Sequence, residues 1–419
     1  MKKVILMLLA LVMCFSCVCV HAEDAHEPVT LTIYADNATY GANEARLESF
    51  MKQYPWITVE MVELSSGSTD RVATLGTMLQ AKDDSMDVYI VDCTWPQQFA
   101  AAGWLENLDD VFTEEELALY SQGALEGCKI DGKLVCFPFY LTTGAMFYRT
   151  DLLEKYGFSG PAQTWDELIE QCKVVMAGEP GLSGYAAAWQ QAEALVCCGL
   201  EHVWGFGGDV VDAEGNPTFN TPEVKAGIES MKKILDSGVA IDGILGMKAA
   251  DIRAAFWAGN VLYCRDWSVN ITSANNPDVS TVAGKVGLTT IPSDAPGENL
   301  YNCNGGWNLA ISPFSKHKEE AKLLLRYWAG YESNLLGAVC KGDCPAYTAV
   351  FDDPEVEEKV PWMKDLRKYG EQTRNRPGSP YYEELSAAMQ QAIMDVLMGA
   401  DFDSTFANLQ TIEEEIFSR

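Results

Sequence analysis

Acidic and large aromatic side chains recur where short apolar runs of the chain end. Asp92 closes "MDVYIVD" and Trp95 follows it in "DCTWPQQF"; Phe139 and Tyr140 precede "LTTG"; Trp267 ends "VLYCRDW"; Trp307 stands behind a glycine pair in "YNCNGGWNLAIS". Carboxylates bind hydroxyl groups strongly and flat rings cover the apolar faces of sugar rings, so a neutral polyol is the ligand this combination suits. Gly305 and Gly306 open backbone conformations that other residues lack and leave the next side chain unobstructed, so the Trp307 indole reads as presented. For each residue taken alone the alternative is ordinary: a buried core aromatic or a helix cap. Their recurrence at the ends of apolar runs points to a binding cleft.

Bond-making chemistry has weaker support. A secreted glycoside hydrolase would use the same residue types, an acid with a partner carboxylate at a defined separation. With 60 acidic residues some such pair is inevitable, so composition does not separate the two classes. The chain has no nucleophile elbow or zinc motif; "GFGGD" lacks the spacing of a dinucleotide loop and "GKVGL" is too short for a phosphate loop. Adjacent Cys197 and Cys198 do not make a C-x-x-C redox pattern.

The elements that must position these residues alternate. "VTLTIYA" reads as a strand, "NEARLESFMKQYP" as a helix ended by Pro55, "ITVEMVEL" as a strand and "TDRVATLGTMLQAKD" as an amphipathic helix. "MDVYIVD" is nearly continuous apolar sequence, the type buried on both faces of a parallel sheet. The fold class is therefore α/β. In open sheets of this class ligands lie beyond the carboxyl ends of strands, here "ADNATYGANE", "SSGSTD" and "DCTWPQQFAAAGWLENLD". Further on, Thr164 is placed to cap "TWDELIEQCKVVMA", Pro222 and Gly238 bracket another helix, and Tyr381 to Phe417 reads as mostly helical. No repeat or low-complexity linker interrupts the chain, which predicts two domains sharing several crossovers.

The amino terminus predicts export. Met1-Lys2-Lys3 precedes an apolar run to Val20, and Val20-His21-Ala22 offers small residues for cleavage, so residues 1–22 read as a secretory signal peptide. Lipid anchoring at Cys17 is the lesser alternative, because Cys14-Phe15 fits a lipobox poorly. Loss of Lys2 and Lys3 with the signal would take the formal charge from −30 to −32, a surface that repels nucleic acid and anionic lipid. Of 13 cysteines three fall in the signal. In "CKIDGKLVC" the Asp131-Gly132 turn signal makes Cys128 and Cys136 a candidate disulfide; "CKGDC" is a second candidate loop. No metal site is expected, since the cysteines do not repeat as C-x-x-C units and the four histidines are scattered.

Beyond these readings the chain resembles the family 1 extracellular solute-binding proteins of carbohydrate ABC transporters, and within them the trehalose/maltose-binding branch. The resemblance runs in order through "DVYIVDCTWPQQFAAAGWLENLD", "MFYRTDLLEKYG", "TWDELIE", "GLEHVWGFGGDVVDAEGNPTFNTPE", "AFWAGNVLYCRDW", "GGWNLAISPFSKHKEEAKLLLRYW", "DDPEV" and "RNRPGSPYYEELSAAMQQAI". It implies a two-lobed periplasmic-binding-protein-like fold: an amino-terminal lobe from residues 28–139 and 292–345, and a carboxyl-terminal lobe from 140–291 and 346–419. It implies a monomeric, non-enzymatic receptor without cofactor, periplasmic or at the cell surface. Such a receptor captures a disaccharide or short oligosaccharide by hinge closure and delivers it to permease subunits. By position Glu44 and Asp92 resemble the family's acidic residues after the first and third strands. Trp267 resembles its stacking aromatic, Gly306-Trp307 its Gly-Trp pair, and Arg376 its carboxyl-terminal arginine; Trp95 and Tyr140 join them as candidate substrate contacts. Two departures bear on the sugar: Thr142 stands where relatives commonly have an acid, and Ala346-Tyr347 where many have Thr-Arg.

Overall fold

The computed structural model describes residues 26–35, 42–65, 67–212, 214–370 and 372–419. The expected signal peptide, Cys17 and the segment 36–41 after the first strand lie outside the described residues.

β1 (Val29–Ala35) pairs in parallel with β2 (Ile57–Glu63), residue for residue from Val29↔Ile57 to Ala35↔Glu63. β3 (Val88–Asp92), buried at every position, runs parallel on the other side of β1. The hairpin of β4 (Lys129–Ile130) and β5 (Lys133–Leu134) turns through Asp131 and Gly132, whose φ values of 50° and 76° are the left-handed pair a two-residue type I′ turn requires. That turn fixes the register as Ile130↔Lys133 and Lys129↔Leu134. The next residue, Cys128, then lies opposite Val135, whose N–H donates to its carbonyl at 3.0 Å. Cys136 is one position off register, and the expected disulfide is corrected: both cysteines are free, buried thiols, with the Cys128 thiol donating to Asn308 Oδ1 at 3.2 Å. Cys340 and Cys344 are also free.

After β6 (Phe137–Tyr140) the chain crosses into a second sheet made of β7 (Gly144–Arg149), β8 (Ser183–Ala186), β9 (Val261–Trp267) and β10 (Val286–Thr289), in the order β10-β7-β9-β8. It returns through β11 (Asn302–Cys303) to β12 (Trp307–Ile311), which inserts between β3 and β6 to give the order β2-β1-β3-β12-β6. A last short strand, β13 (Thr373–Arg374), pairs with β11. β12 is antiparallel to both neighbours, so the first sheet is mixed and not parallel throughout. The return explains this: the chain re-enters at the end where β3 and β6 finish, and must run back against them.

Each sheet carries its own core. The first gathers Phe50, Leu75, Phe99, Phe137 and Trp328; the second gathers Trp165, Trp189, Trp204, Tyr263 and Tyr382. Local signals act as read: Thr164 accepts from the Glu167 N–H, Pro222 opens the helix Pro222–Asp236, and Gly238 follows that helix at φ 71°. The carboxyl-terminal region forms the helices Tyr382–Leu397 and Phe402–Phe417. Three strands of chain cross side by side between the lobes. Gly305 N–H donates to Thr142 O at 3.0 Å and Asn304 N–H to Arg374 O at 2.8 Å.

Candidate functional site

The carboxyl ends of β3 and β6 and the start of β12 share one edge of the first sheet, where Trp307 pairs with both Asp92 and Tyr140. Asp92 is buried there. Its carboxylate accepts from Ser68 Oγ at 3.0 Å, from Thr94 N–H and Oγ1 at 3.1 Å each, and from Arg376 Nη2 at 2.9 Å. Arg376 reaches the other way through Nη1 to Glu193 Oε1 at 2.6 Å, and Nη2 also donates to Asn304 O at 3.2 Å. Glu193 opens the helix Glu193–Gly205 of the second lobe and accepts the Tyr382 hydroxyl at 2.7 Å and the Ser386 hydroxyl. One buried guanidinium thus binds a carboxylate from each lobe, and charge pairing of this kind is what makes burial of three charges tolerable. Burial, with Glu193 and Asp92 nearby, pushes the neighbouring Glu383 carboxyl up to about 7, against a hydrogen bond from Trp95. Burial also pushes the Cys93 thiol well above its usual range, despite the adjacent Arg376.

The tryptophans divide. Trp307 is half-buried, with the Arg71 guanidinium 4.4 Å from its ring and Trp95 edge-on at 5.5 Å. Trp95 itself is 1% exposed and stacks on Phe99, so it supports Trp307 from the core. Trp267, at the end of β9, is also half-buried, with the Arg265 guanidinium 4.3 Å from its ring. Arg265 is held by a two-point bond to Glu201 at 2.8 and 2.7 Å, and the same Glu201 accepts the Cys303 N–H at 3.0 Å. The glycine pair before Trp307 has a different use from the one its sequence suggests. A Cβ on Gly305 would stand 2.3 Å from Cζ3 of Trp267, so this glycine exists to admit the other lobe's indole. Gly144 similarly leaves room for the Glu201–Arg265 pair, since its Cβ would stand 1.8 Å from Glu201 Oε1.

Of the remaining expected residues, Tyr140 is 5% exposed with Lys341 Nζ 4.9 Å from its ring, and Gly306 donates its N–H to Asn304 Oδ1 at 3.0 Å. Glu44 is exposed on the first turn of the helix Ala42–Gln53. The structure therefore brings Asp92, Tyr140, Trp267, Gly306, Trp307 and Arg376 to one interlobe region and leaves Trp95 behind it. Sequence reading passed over Glu193, Glu201, Arg265 and Arg71. Nothing local marks them, because the partner that gives Glu193 its role is 183 residues away.

Beside Arg376 opens a cavity of about 210 Å³. Its floor includes Thr94, Gly306 and Asn308, and its rim Gln97, Gly123 and Asn375.

Comparison with known proteins agrees with this architecture. A family profile described as bacterial extracellular solute-binding protein matches residues 33–334. A probable ABC transporter-binding protein of Deinococcus radiodurans is 29% identical over 386 residues, 90% of each chain. Maltose-bound MalE3 of T. maritima is 31% identical, with a TM-score of 0.87 over 91% of this chain and 98% of that one. A solute-binding protein of Agrobacterium radiobacter K84 in complex with ribitol shares the fold at 23% identity, with a TM-score of 0.81 over 93% and 99% of the two chains.

Proposed function

The chain belongs to the bacterial extracellular solute-binding protein family, and from that premise we propose that it captures a neutral sugar or polyol between its lobes and delivers it to an ABC-transporter permease. The observation that carries the proposal is the pair Trp267 and Trp307. Each comes from a different sheet, each is half-buried and each has a guanidinium against its ring, while Gly305 leaves room for the Trp267 indole. Two rings offered from opposite lobes suit the apolar faces of a sugar, while Asp92 and Arg376 supply charge-assisted hydrogen bonds to its hydroxyls.

The maltose held by the T. maritima protein supports a disaccharide or short oligosaccharide of the trehalose/maltose type. Glu44 and Tyr140 are further contacts in this reading. Thr142, at a position where the family resemblance implies an acid, bonds Ser268 Oγ at 3.2 Å, and in this reading the difference bears on which sugar is taken. Closure turns on the crossing segments at 141–143, 304–305 and 344–346, laid side by side by the bonds from Leu141 N–H to Cys344 O and from Gly305 N–H to Thr142 O, in a monomer exported by its signal peptide.

A hydrolase would need a free carboxylate beside the Glu383 acid. Asp92 and Glu193 are both bound by Arg376, which argues for retention over cleavage. The test is a thermal-shift and calorimetry panel of maltose, trehalose, maltotriose, mannitol and ribitol. Ligand at a hundred times its dissociation constant adds about 2.7 kcal/mol of stability. No response to any sugar or polyol overturns the ligand class, and appearance of cleaved sugar overturns the receptor reading.

A further inference from the structure

We infer that Glu201 is a positioning residue for capture: its carboxylate fastens the Trp267 ring to the chain segment that crosses between the lobes at Cys303, so that stacking of a ligand on that ring and movement of the hinge are one coupled step. The inference rests on the sugar-binding reading above and names how an occupied cleft reaches the hinge. Glu201 Oε2 accepts from Arg265 Nε at 2.8 Å and Oε1 from Arg265 Nη2 at 2.7 Å, and the Arg265 guanidinium lies 4.3 Å from the Trp267 ring. Neutralising Arg265 needs no more than this. Yet Oε1 also accepts the Cys303 N–H at 3.0 Å, a bond to the backbone of the crossing segment that charge pairing alone does not explain. Glu201, Arg265 and Cys303 are all buried, so water cannot stand in for any of the three partners.

The ring and the crossing chain hold each other at further points around this carboxylate. Trp267 pairs with Gly144 across the second sheet, and the next N–H, of Ser268, donates to Thr143 O at 2.8 Å. Thr143 Oγ1 donates in turn to Cys303 O at 3.3 Å, so the N–H and the carbonyl of Cys303 are both held by side chains. Two residues on, Gly305 lies against the Trp267 ring itself. Glu201 also shares its helix with Glu193, which binds Arg376 about two turns, or ~12 Å, earlier. One helix therefore grips the lobe boundary twice, at Arg376 and at Cys303. A ring carried on such a frame does not shift under a ligand without moving the crossing segment, because packed and hydrogen-bonded groups link the two without a gap.

The test reads both ends of the link. Hydrogen exchange at the Cys303 amide reports on the hinge, and acrylamide quenching of the emission that Trp267→Ala removes reports on the ring. Glu201→Gln keeps the shape of the side chain but leaves one acceptor oxygen for three donors. If it fails to fold, Glu201→Met/Arg265→Met takes its place, since neither charge is then buried alone. In the ligand-free protein both signals are expected to rise together; a variant in which either stays at its wild-type value overturns the inference. Maltose and trehalose are then titrated by calorimetry into wild type, Glu201→Gln, Trp267→Ala and their double variant. Glu201→Gln is expected to lose about tenfold in affinity, and the double variant no more than about twofold beyond Trp267→Ala. Saturating sugar should slow exchange at Cys303 in wild type and in neither single variant. Losses that multiply in the double variant, or protection at Cys303 that survives Glu201→Gln, make Glu201 a purely structural residue and overturn the inference. No heat from either sugar, with the ligand-free signals still rising together, defeats the sugar reading and leaves the coupling standing.

Discussion

Arg376 and Asp92 lie 284 residues apart in the chain and are joined by a buried hydrogen bond of 2.9 Å. The second carboxylate on the same guanidinium, Glu193, belongs to the other lobe. Arg376 is thus at once a candidate ligand contact and a strap across the interlobe boundary. Replacing it by Met leaves two buried carboxylates without a counter-charge, and removal of one partner from such a group costs about 3–5 kcal/mol. Urea unfolding of Arg376→Met is expected to show that loss. The double variant Arg376→Met/Asp92→Asn should recover part of it, and strictly additive losses would break the pairing argument.

Gly305 tests the contact between lobes. Its φ is not positive, so Gly305→Ala acts through the ring of Trp267 and not through backbone strain. Overpacking of this kind costs about 1–3 kcal/mol. Lower stability with a changed tryptophan emission spectrum is the expected outcome; a variant with wild-type stability and spectrum contradicts the close approach.

The three tryptophans at the first sheet's edge and the cleft should separate by experiment. Trp307→Ala and Trp267→Ala are expected to weaken sugar binding by more than about 2 kcal/mol while costing less stability than a core aromatic. Trp95→Ala, truncating a ring that is 1% exposed, should cost about 3–5 kcal/mol of stability. Calorimetry paired with chemical denaturation reads both quantities. Trp95 dominating the binding loss would invert the assignment.

In the proposed site Arg265 bears on the ligand through the Trp267 ring it packs against. Arg265→Met leaves Glu201 without its two-point donor, while Arg265→Lys keeps the charge but not the planar fork. Both should lose affinity, with Lys the milder, and quenching of tryptophan emission by bound sugar should diminish in step. Full affinity in a folded Arg265→Met would separate the pair from the site.

Glu383 gives a pH dependence with a definite sign. Its carboxyl is raised from 4.5 to about 7, so the folded state holds this proton more tightly than the unfolded chain. Its stabilising balance is intact below the unfolded value and is lost as pH rises through that window, by on the order of 2 kcal/mol after allowance for partial exposure. Glu383→Gln should therefore be more stable than wild type at pH 8 and gain nothing at pH 4.5, measured as the difference between their melting curves. A gain independent of pH would assign the effect to packing.

Alternation, capping and turn residues are local, and there the sequence was sufficient. β1, the Thr164 cap, the Pro222 start, the Asp131-Gly132 turn and the α/β class all follow from neighbours a few positions apart. The recurrence of acids and aromatics at the ends of apolar runs also singles out Asp92, Trp267 and Trp307 as candidates. What the sequence could not decide was which of these side chains meet and which are covered. Trp95 and Trp307 are the same residue type at similar strand ends, yet Trp95 is packed against Phe99 and Trp307 stays half-exposed, because β12 inserts antiparallel between β3 and β6. Register separated Cys128 from Cys136 by a single position. The roles of Glu193, Glu201 and Gly305 come from partners brought close only by chain crossings, 183 residues away for Glu193. Such contacts depend on the summed packing of two cores, which no local pattern encodes.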